Sequence, residues 1–157
     1  MNKVFLDTNV ILDFLLRRKS SNADFHKPML DVLNYCIVAE IPLCTSILSL
    51  KDVFYILTRL TKSPQGKNKQ QIIKQKIADF EKLIELAVTK KKAFYRAMDS
   101  TMSDLEDALQ YFTAKDCGAS IILTRNKKDF KNTDIRVLTP DEFLNLPISY
   151  REPTEDC

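Results

Sequence analysis

The sequence contains very little glycine and histidine, and this excludes several kinds of functional site. Its 157 residues include two glycines, Gly66 and Gly118, so neither a P-loop nor a dinucleotide-binding glycine loop can form. His26 is the single histidine. That excludes a histidine-rich zinc site and a Ser-His-Asp triad built on any other histidine. Catalysis, if the chain performs any, must therefore use carboxylates.

Closely spaced cysteines and long apolar runs are also missing. The four cysteines are Cys36, Cys44, Cys117 and Cys157. None forms a CxxC pair, and the first three lie in or beside apolar segments, which favours reduced and buried thiols. No apolar run is long enough to span a bilayer, and the chain begins with a predicted strand instead of an export signal. We therefore expect a cytoplasmic protein without a membrane partner.

The first fifteen residues predict a central strand that leads directly into a helix. The apolar run 4–6 is typical of a strand buried on both faces. Asp7 follows it, and the apolar spacing of residues 10–15 then predicts a helix. Ligands of parallel α/β sheets bind beyond the carboxyl ends of the strands, so Asp7 lies where a site is expected. A purely structural role for Asp7 as a helix cap is the alternative.

Strand and helix patterns alternate along the rest of the chain. Further strands are predicted at 41–45, 93–98, 121–123 and 137–138. Further helices are predicted at 28–39, 49–60, 73–90, 103–117 and 140–146. This alternation predicts an α/β fold with parallel neighbouring strands. We expect one domain over residues 1–146, followed by a flexible tail at 147–157.

Acidic or amide side chains occur at the ends of predicted strands or early in the helices that follow them. They are Asp7, Asp52, Asp104 with Asp107, and Asn126 with Asp129. Two unit charges about 4 Å apart repel by about 4 kcal/mol at an effective dielectric of 20, so carboxylates that converge there require a cation. Hard oxygen donors favour Mg²⁺ or Mn²⁺. A metal held in this way can polarise a phosphodiester and activate water, which predicts phosphodiester hydrolysis.

Helix caps are a second explanation for some of these acids. Ser49 is predicted to begin a helix, which places Asp52 in the first turn, where the helix dipole stabilises a carboxylate. Ser103 and Glu106 have the spacing of a capping box and predict a helix start at Ser103. Asp104 and Asp107 then share one edge of that helix near its N-terminus.

A basic segment accompanies the acidic positions. Residues 62–96 contain ten Lys and Arg against three Asp and Glu. A basic segment beside an acidic site suits a polyanion held over a metal centre. The alternative is that these lysines only keep a long helix solvated.

Together these motifs resemble the PIN-domain family. The resemblance is carried by residues 5–10 (FLDTNV), 104–109 (DLEDAL) and 122–130 (ILTRNKKDF), and by an acid early in the helix after Thr45 and Ser46. It covers residues 1–146 and implies a three-layer α/β/α sandwich with a short, mostly parallel sheet. It also implies an Mg²⁺- or Mn²⁺-dependent ribonuclease, often the toxin of a bacterial toxin–antitoxin pair. The partners would be RNA and a cognate antitoxin protein, and a homodimer is left open.

The resemblance also implies roles for individual residues. Asp7 and Asp107 would be direct metal ligands, Asp52 and Asp104 would bind metal or position water, and Asn126 with Asp129 would complete the shell. Asp52 departs from the glutamate of many members, and Asn126 stands where a fourth acid is usual. The residues expected to bind substrate are Thr8, Asn9, Ser46, Arg125, Lys90, Lys91 and Lys92.

Two other functions compete with this hypothesis. Asp-nucleophile phosphatases also begin with a strand and an aspartate, but they need a second acid where this chain has Asn9. The other is a non-catalytic module that binds RNA or protein through the same fold and no longer holds metal. Metal-dependent RNA cleavage that is lost in Asp7→Asn separates the ribonuclease from this module.

Overall fold

A five-stranded sheet forms the centre of the computed structural model, which describes residues 3–62 and 68–147. The strands are β1 (Lys3–Leu6), β2 (Leu43–Ser46), β3 (Glu85–Ala87), β4 (Ala119–Leu123) and β5 (Arg136–Leu138). Their order is β3-β2-β1-β4-β5, and every neighbouring pair is parallel. The predicted central position of the first strand is therefore confirmed.

Helices cover both faces of this sheet. They are α1 (Thr8–Leu15), α2 (His26–Val38), α3 (Ile47–Leu60), α4 (Lys69–Glu81), α5 (Lys91–Asp99), α6 (Leu105–Asp116) and α7 (Pro140–Leu144). Side chains of β1 alternate between two cores, because successive strand residues point to opposite faces. Val4 and Leu6 pack in one core with α1 to α4 and α7, and Phe5 packs in the other with α6. The three-layer α/β/α sandwich implied by the resemblance is confirmed.

Between α4 and α6 the predicted elements are wrong. The helix predicted to continue to residue 90 ends at Glu81, and residues 85–87 form β3. Residues 93–98, predicted as a strand, belong to α5, which buries the small residues Ala93 and Ala97 one turn apart. Two alanines give a weak apolar signal, and β3 is a three-residue edge strand whose first two side chains are exposed. Pairing with β2, a tertiary interaction, stabilises this strand.

Two helix starts near the candidate site also differ from the prediction. Ser46, not Ser49, is the N-cap of α3, so Asp52 lies in the second turn. Asp104, not Ser103, is the N-cap of α6, so the predicted capping box does not form there. The capping box of α7 is confirmed, with Thr139 as its N-cap.

The predicted tail at 147–157 lies outside the described residues, apart from Pro147. Among the described residues, no helix combines the length and apolar character needed to cross a membrane.

Candidate active site

Asp7 lies at the carboxyl end of the central strand and is almost fully buried, with 5% of its surface exposed. Its Oδ1 accepts a hydrogen bond from the Thr8 backbone N at 2.7 Å. Its Oδ2 accepts two more, from Asn9 Nδ2 and from Thr124 Oγ1, each at 2.7 Å. Asp7 is therefore the N-cap of α1 and is also fixed in one orientation by groups from α1 and from Thr124, the residue that follows β4.

Burial raises the pKa of Asp7, although hydrogen bonds from Thr124, Thr8 and Gln110 oppose the rise. The negative charge of Asp129 raises it further. Gln110 is a buried residue of α6 beside Asp7. The sequence did not indicate it as a site residue. Its Oε1 has no hydrogen-bond partner within the described ranges. The Asp7 carboxylate is thus buried among polar groups that donate hydrogen bonds to it.

The N-terminus of α6 supplies the second part of the site. Asp104 Oδ1 accepts hydrogen bonds from the backbone N atoms of Glu106 at 2.8 Å and Asp107 at 3.1 Å. This cap fixes the first turn of the helix and therefore the position of the half-buried Asp107. The structure accordingly shows a capping role for Asp104.

Asp107 is where the acidic groups converge. Its pKa is raised to about 7, first by partial burial and then by the charges of Asp129, Asp104, Asp7 and Glu106. Neighbouring like charges disfavour ionisation only when they are close, so these carboxylates from β1, α6 and the segment after β4 share one region. Four of the acidic residues, Asp129, Asp104, Asp7 and Glu106, therefore lie near enough to Asp107 to affect its ionisation.

Glu106 is a site residue that the sequence analysis assigned to a capping box instead. Its pKa is raised by burial and by the charge and hydrogen bonding of Asp52. Asp52 is in turn paired with Lys51, whose Nζ lies 2.5 Å from Asp52 Oδ1. Asp52 therefore joins the cluster through Glu106. Because Asp104 provides the cap, the Glu106 side chain is not needed for capping. The signal that could have identified Glu106 as a site residue is the presence of three acids within residues 104–107.

Asn126 and Asp129 form a pair beside Asp7. Asn126 Nδ2 donates to Asp129 Oδ2 at 2.5 Å, and the Asn126 backbone N donates to Thr124 Oγ1 at 3.0 Å. Thr124 Oγ1 in turn donates to Asp7. Asp129 therefore contributes negative charge near Asp7, and Asn126 orients the Asp129 carboxylate.

Arg125 anchors the same turn on α1. Its backbone N donates to Asn9 Oδ1 at 3.1 Å, while its side-chain Nε lies 2.7 Å from Asp13 Oδ2. The guanidinium also lies over the Phe25 ring, 4.8 Å from its centre. Asp13 is 1% exposed, and burial raises its pKa although Arg125 and Arg18 oppose this. The Arg125 side chain thus forms an ion pair with the buried Asp13 carboxylate.

The remaining predicted substrate-binding residues divide into two groups. Thr8 and Ser46 are buried at the carboxyl edge of the sheet, and Ser46 Oγ accepts from the Ser49 backbone N at 2.9 Å. Residues 90–92 lie elsewhere, at the start of α5. Lys92 Nζ is 3.3 Å from Asp116 Oδ1 at the C-terminal end of α6. The twelve residues of α6 span about 18 Å, so the structure does not bring these lysines to the acidic cluster.

The donor set of the cluster matches a hard divalent cation. Among residues 3–62 and 68–147, no three His, Cys, Asp or Glu side chains are gathered closely enough to hold a metal ion by themselves. Mg²⁺, however, commonly binds through one or two carboxylates and keeps several waters. Asp7 and Asp107 provide oxygen donors of this kind. Burial and then neighbouring negative charge raise their pKa values, and a bound cation would offset both effects.

Comparison with known proteins places these residues in a family. A PIN-domain family model matches residues 3–128. Ribonuclease VapC1 of Aquifex aeolicus (strain VF5) is 34% identical over 147 residues, which cover 90% of this chain and 92% of that protein.

Solved structures agree on the fold. FitAcB from Neisseria gonorrhoeae superposes with a TM-score of 0.65 at 16% identity, covering 91% of this chain and 99% of that chain. DNA-bound VapBC from Salmonella typhimurium has a TM-score of 0.63 at 15% identity, covering 89% and 99%. The family match over residues 3–128 and the 34% identity to Ribonuclease VapC1 show that this chain belongs to the PIN-domain family.

Proposed function

We propose that this protein is a metal-dependent endoribonuclease that hydrolyses RNA phosphodiester bonds, and that it is the toxin of a toxin–antitoxin pair. The observation that carries the proposal is the cluster of carboxylates around Asp107, whose pKa is raised to about 7 first by partial burial and then by these neighbouring charges. The relative at 34% identity is named a ribonuclease, which supports RNA as the substrate. Structures of this fold include a toxin–antitoxin complex from Klebsiella pneumoniae, which supports a cognate antitoxin as partner.

We assign direct contact with Mg²⁺ or Mn²⁺ to Asp7 and Asp107. When bound, the cation would polarise the scissile phosphodiester and lower the pKa of a bound water. Asp7 is suited to this contact because three donors hold its carboxylate in one orientation. Asp107 is suited because its position is set by the capped start of α6, while its side chain is half-exposed toward solvent.

Other acidic residues add negative charge around the two proposed metal ligands. Asp129, oriented by Asn126, adds negative charge beside both proposed ligands. Glu106 adds charge beside Asp107, and we propose that Glu106 and its neighbour Asp52 position water. Each of these carboxylates increases the attraction for a divalent cation and, for the same reason, repels RNA when no cation is present.

Contacts with RNA are proposed at two distances from the cluster. Thr8, Asn9, Ser46 and Arg125 surround the strand ends, and we propose that they act mainly by holding the loops that substrate touches. Residues 90–92 begin α5 at the far end of α6. They can contact phosphates only of an RNA long enough to extend along that helix.

The test is cleavage of a labelled RNA by the wild type, Asp7→Asn and Asp116→Asn, each with Mn²⁺ and with EDTA. Asp116 is a control from the opposite end of α6, where it pairs with Arg96 at 2.5 Å. We expect cleavage by the wild type and Asp116→Asn with Mn²⁺ only, and none by Asp7→Asn. Binding of the RNA without cleavage by the wild type would favour the non-catalytic module instead.

A further inference from the structure

Two cysteines that are far apart in the sequence meet on the sheet face opposite α1. Cys44 lies in β2, and Cys117 is the C-terminal cap of α6. Their Sγ atoms are 3.5 Å apart. A disulfide bond is about 2.0 Å long, so the two sulfurs need to approach each other by only about 1.5 Å.

Both thiols line a surface cleft of about 290 Å³, which is large enough to admit small oxidants. Lys3 and Lys90 line the same cleft. Cys44 is 1% exposed, whereas Cys117 is partly exposed. Cys117 is therefore the thiol that a dissolved oxidant reaches first.

The surroundings also make Cys117 the more acidic thiol. Its pKa is lowered to about 7, mainly by the hydrogen bond from Cys44, with Lys3 contributing through its charge. The same contact and burial raise the pKa of Cys44. The thiolate is the reactive form of cysteine, so Cys117 is the nucleophile and Cys44 the thiol that follows it.

We propose that Cys44 and Cys117 form a thiol pair that hydrogen peroxide oxidises to a disulfide. The Cys117 thiolate attacks peroxide, so an S–O bond forms, the O–O bond breaks, and the departing hydroxide takes up a proton to become water. The Cys44 sulfur then attacks the Cys117 sulfenic acid, forming the S–S bond and breaking the S–O bond. The departing hydroxide combines with the proton lost by Cys44. Two thiols thus supply the two electrons that reduce one peroxide to two waters.

The pair protects Cys117 from irreversible oxidation. A sulfenic acid without a nearby thiol reacts with further peroxide to give sulfinic and sulfonic acids. Cys44, at 3.5 Å, intercepts the sulfenic acid before this happens. The resulting disulfide joins β2 to the C-terminal end of α6. This inference concerns the thiols alone and holds whether or not the protein cleaves RNA.

The experiment treats the full chain carrying Cys157→Ser with hydrogen peroxide and measures the intact mass and the peptide map. We expect a loss of two hydrogens, a peptide pair joined through Cys44 and Cys117, and full reversal by dithiothreitol. Cys36 is the internal control, because it is buried in the other core and should stay unmodified. Oxygen added to Cys117 without a crosslink, or no change at either thiol, would overturn the proposal.

Two variants test the order of events. With Cys44→Ala in the same background, the crosslink should disappear. Cys117 should be oxidised more slowly, because the hydrogen bond that lowers its pKa is lost, and the oxygens that it gains should not be removed by dithiothreitol. With Cys117→Ser, Cys44 should stay unmodified. Circular dichroism confirms that each variant is folded before oxidation. If dithiothreitol fully reverses the oxidation of Cys117 in Cys44→Ala, or Cys117→Ser leaves Cys44 readily oxidised, the assigned roles are wrong.

Discussion

Replacing Asp107 by asparagine should make the metal-free protein more stable. The pKa of Asp107 is raised from 3.8 to about 7, first by burial and then by neighbouring carboxylates. Each tenfold change in acid strength corresponds to about 1.36 kcal/mol, so the full rise corresponds to about 4 kcal/mol of destabilisation by the ionised group. Because Asp107 is half-exposed, solvent screening reduces this to about 1 to 2 kcal/mol.

The helix dipole acts in the opposite direction. A carboxylate in the first turn of a helix gains about 0.3 to 1 kcal/mol from it, and Asp107→Asn loses this gain. The penalty from burial and repulsion together is larger than the helix-dipole gain, so we expect a net stabilisation of about 1 kcal/mol. For a domain of this length that raises the melting temperature by about 2 to 4 °C.

The effect has a defined pH dependence. The folded-state pKa lies above the unfolded value, so the penalty is absent below about pH 4, grows as the pH rises, and is complete above about pH 7. Thermal melting in EDTA should therefore show little difference between wild type and Asp107→Asn at pH 4 and a more stable mutant at pH 8. Equal stability at pH 8, or a less stable mutant, would refute the destabilisation that burial and neighbouring charges are expected to cause at Asp107.

Asp116, at the other end of the same helix, is the control with opposite sign. Burial tends to raise its pKa, but hydrogen bonds from Arg96 and Lys92 hold the pKa below its usual value. Its ionised form therefore stabilises the fold above about pH 4. Asp116→Asn should lower the melting temperature at pH 8, where Asp107→Asn raises it.

Three further predictions address the metal, the Arg125 anchor and the distant lysines. Mn²⁺ at 100 times its dissociation constant should stabilise the wild type by about 2.7 kcal/mol, measured as a rise in melting temperature; no rise contradicts a metal site. Urea unfolding should show that Arg125→Ala, which leaves Asp13 buried beside a single arginine, costs about 2 to 4 kcal/mol. Lys127→Ala removes the exposed pair with Glu142 and should lower the free energy of unfolding by less than about 1 kcal/mol. Equal losses of stability in Arg125→Ala and Lys127→Ala would contradict the role of Arg125 as an anchor for Asp13. Neutralising residues 90–92 should weaken the binding of long RNAs evenly across sequences and leave the binding of short RNAs unaffected. The slope of log affinity against log salt concentration should become smaller by about 0.7 per lost contact. Weakened binding of a short RNA would contradict the position of these lysines far from the acidic cluster.

The sequence predicted the parts of the fold in which local signals and burial agree. The run 4–6 is apolar at every position, and the structure buries it on both faces at the centre of the sheet. Thr139, Pro140 and Glu142 form the predicted capping box because the cap depends only on groups within one turn. Such elements need no information from distant parts of the chain.

The predictions were wrong where contacts between distant parts of the chain determine the local structure. β3 exists because it pairs with β2, and neither its length nor its exposed residues indicate a strand. At the start of α6, Ser103 and Asp104 are both good caps, and only the folded chain shows that Asp104 takes the role. That choice changes the site, because it leaves Glu106 to interact with Asp52. The placement of residues 90–92 likewise depends on how α5 packs against α6.

We propose that Asp7 and Asp107 together hold the cation that cleavage requires. The most direct measurement is the Mn²⁺ dissociation constant by calorimetry for the wild type, Asp7→Asn, Asp107→Asn and Asp116→Asn, compared with the Mn²⁺ dependence of RNA cleavage for each protein. We expect the wild type and Asp116→Asn to bind Mn²⁺ equally and to cleave with half-maximal rate near that concentration. Asp7→Asn and Asp107→Asn should lose both binding and cleavage. Unchanged Mn²⁺ binding in either variant, or cleavage that persists in EDTA, would contradict the assignment.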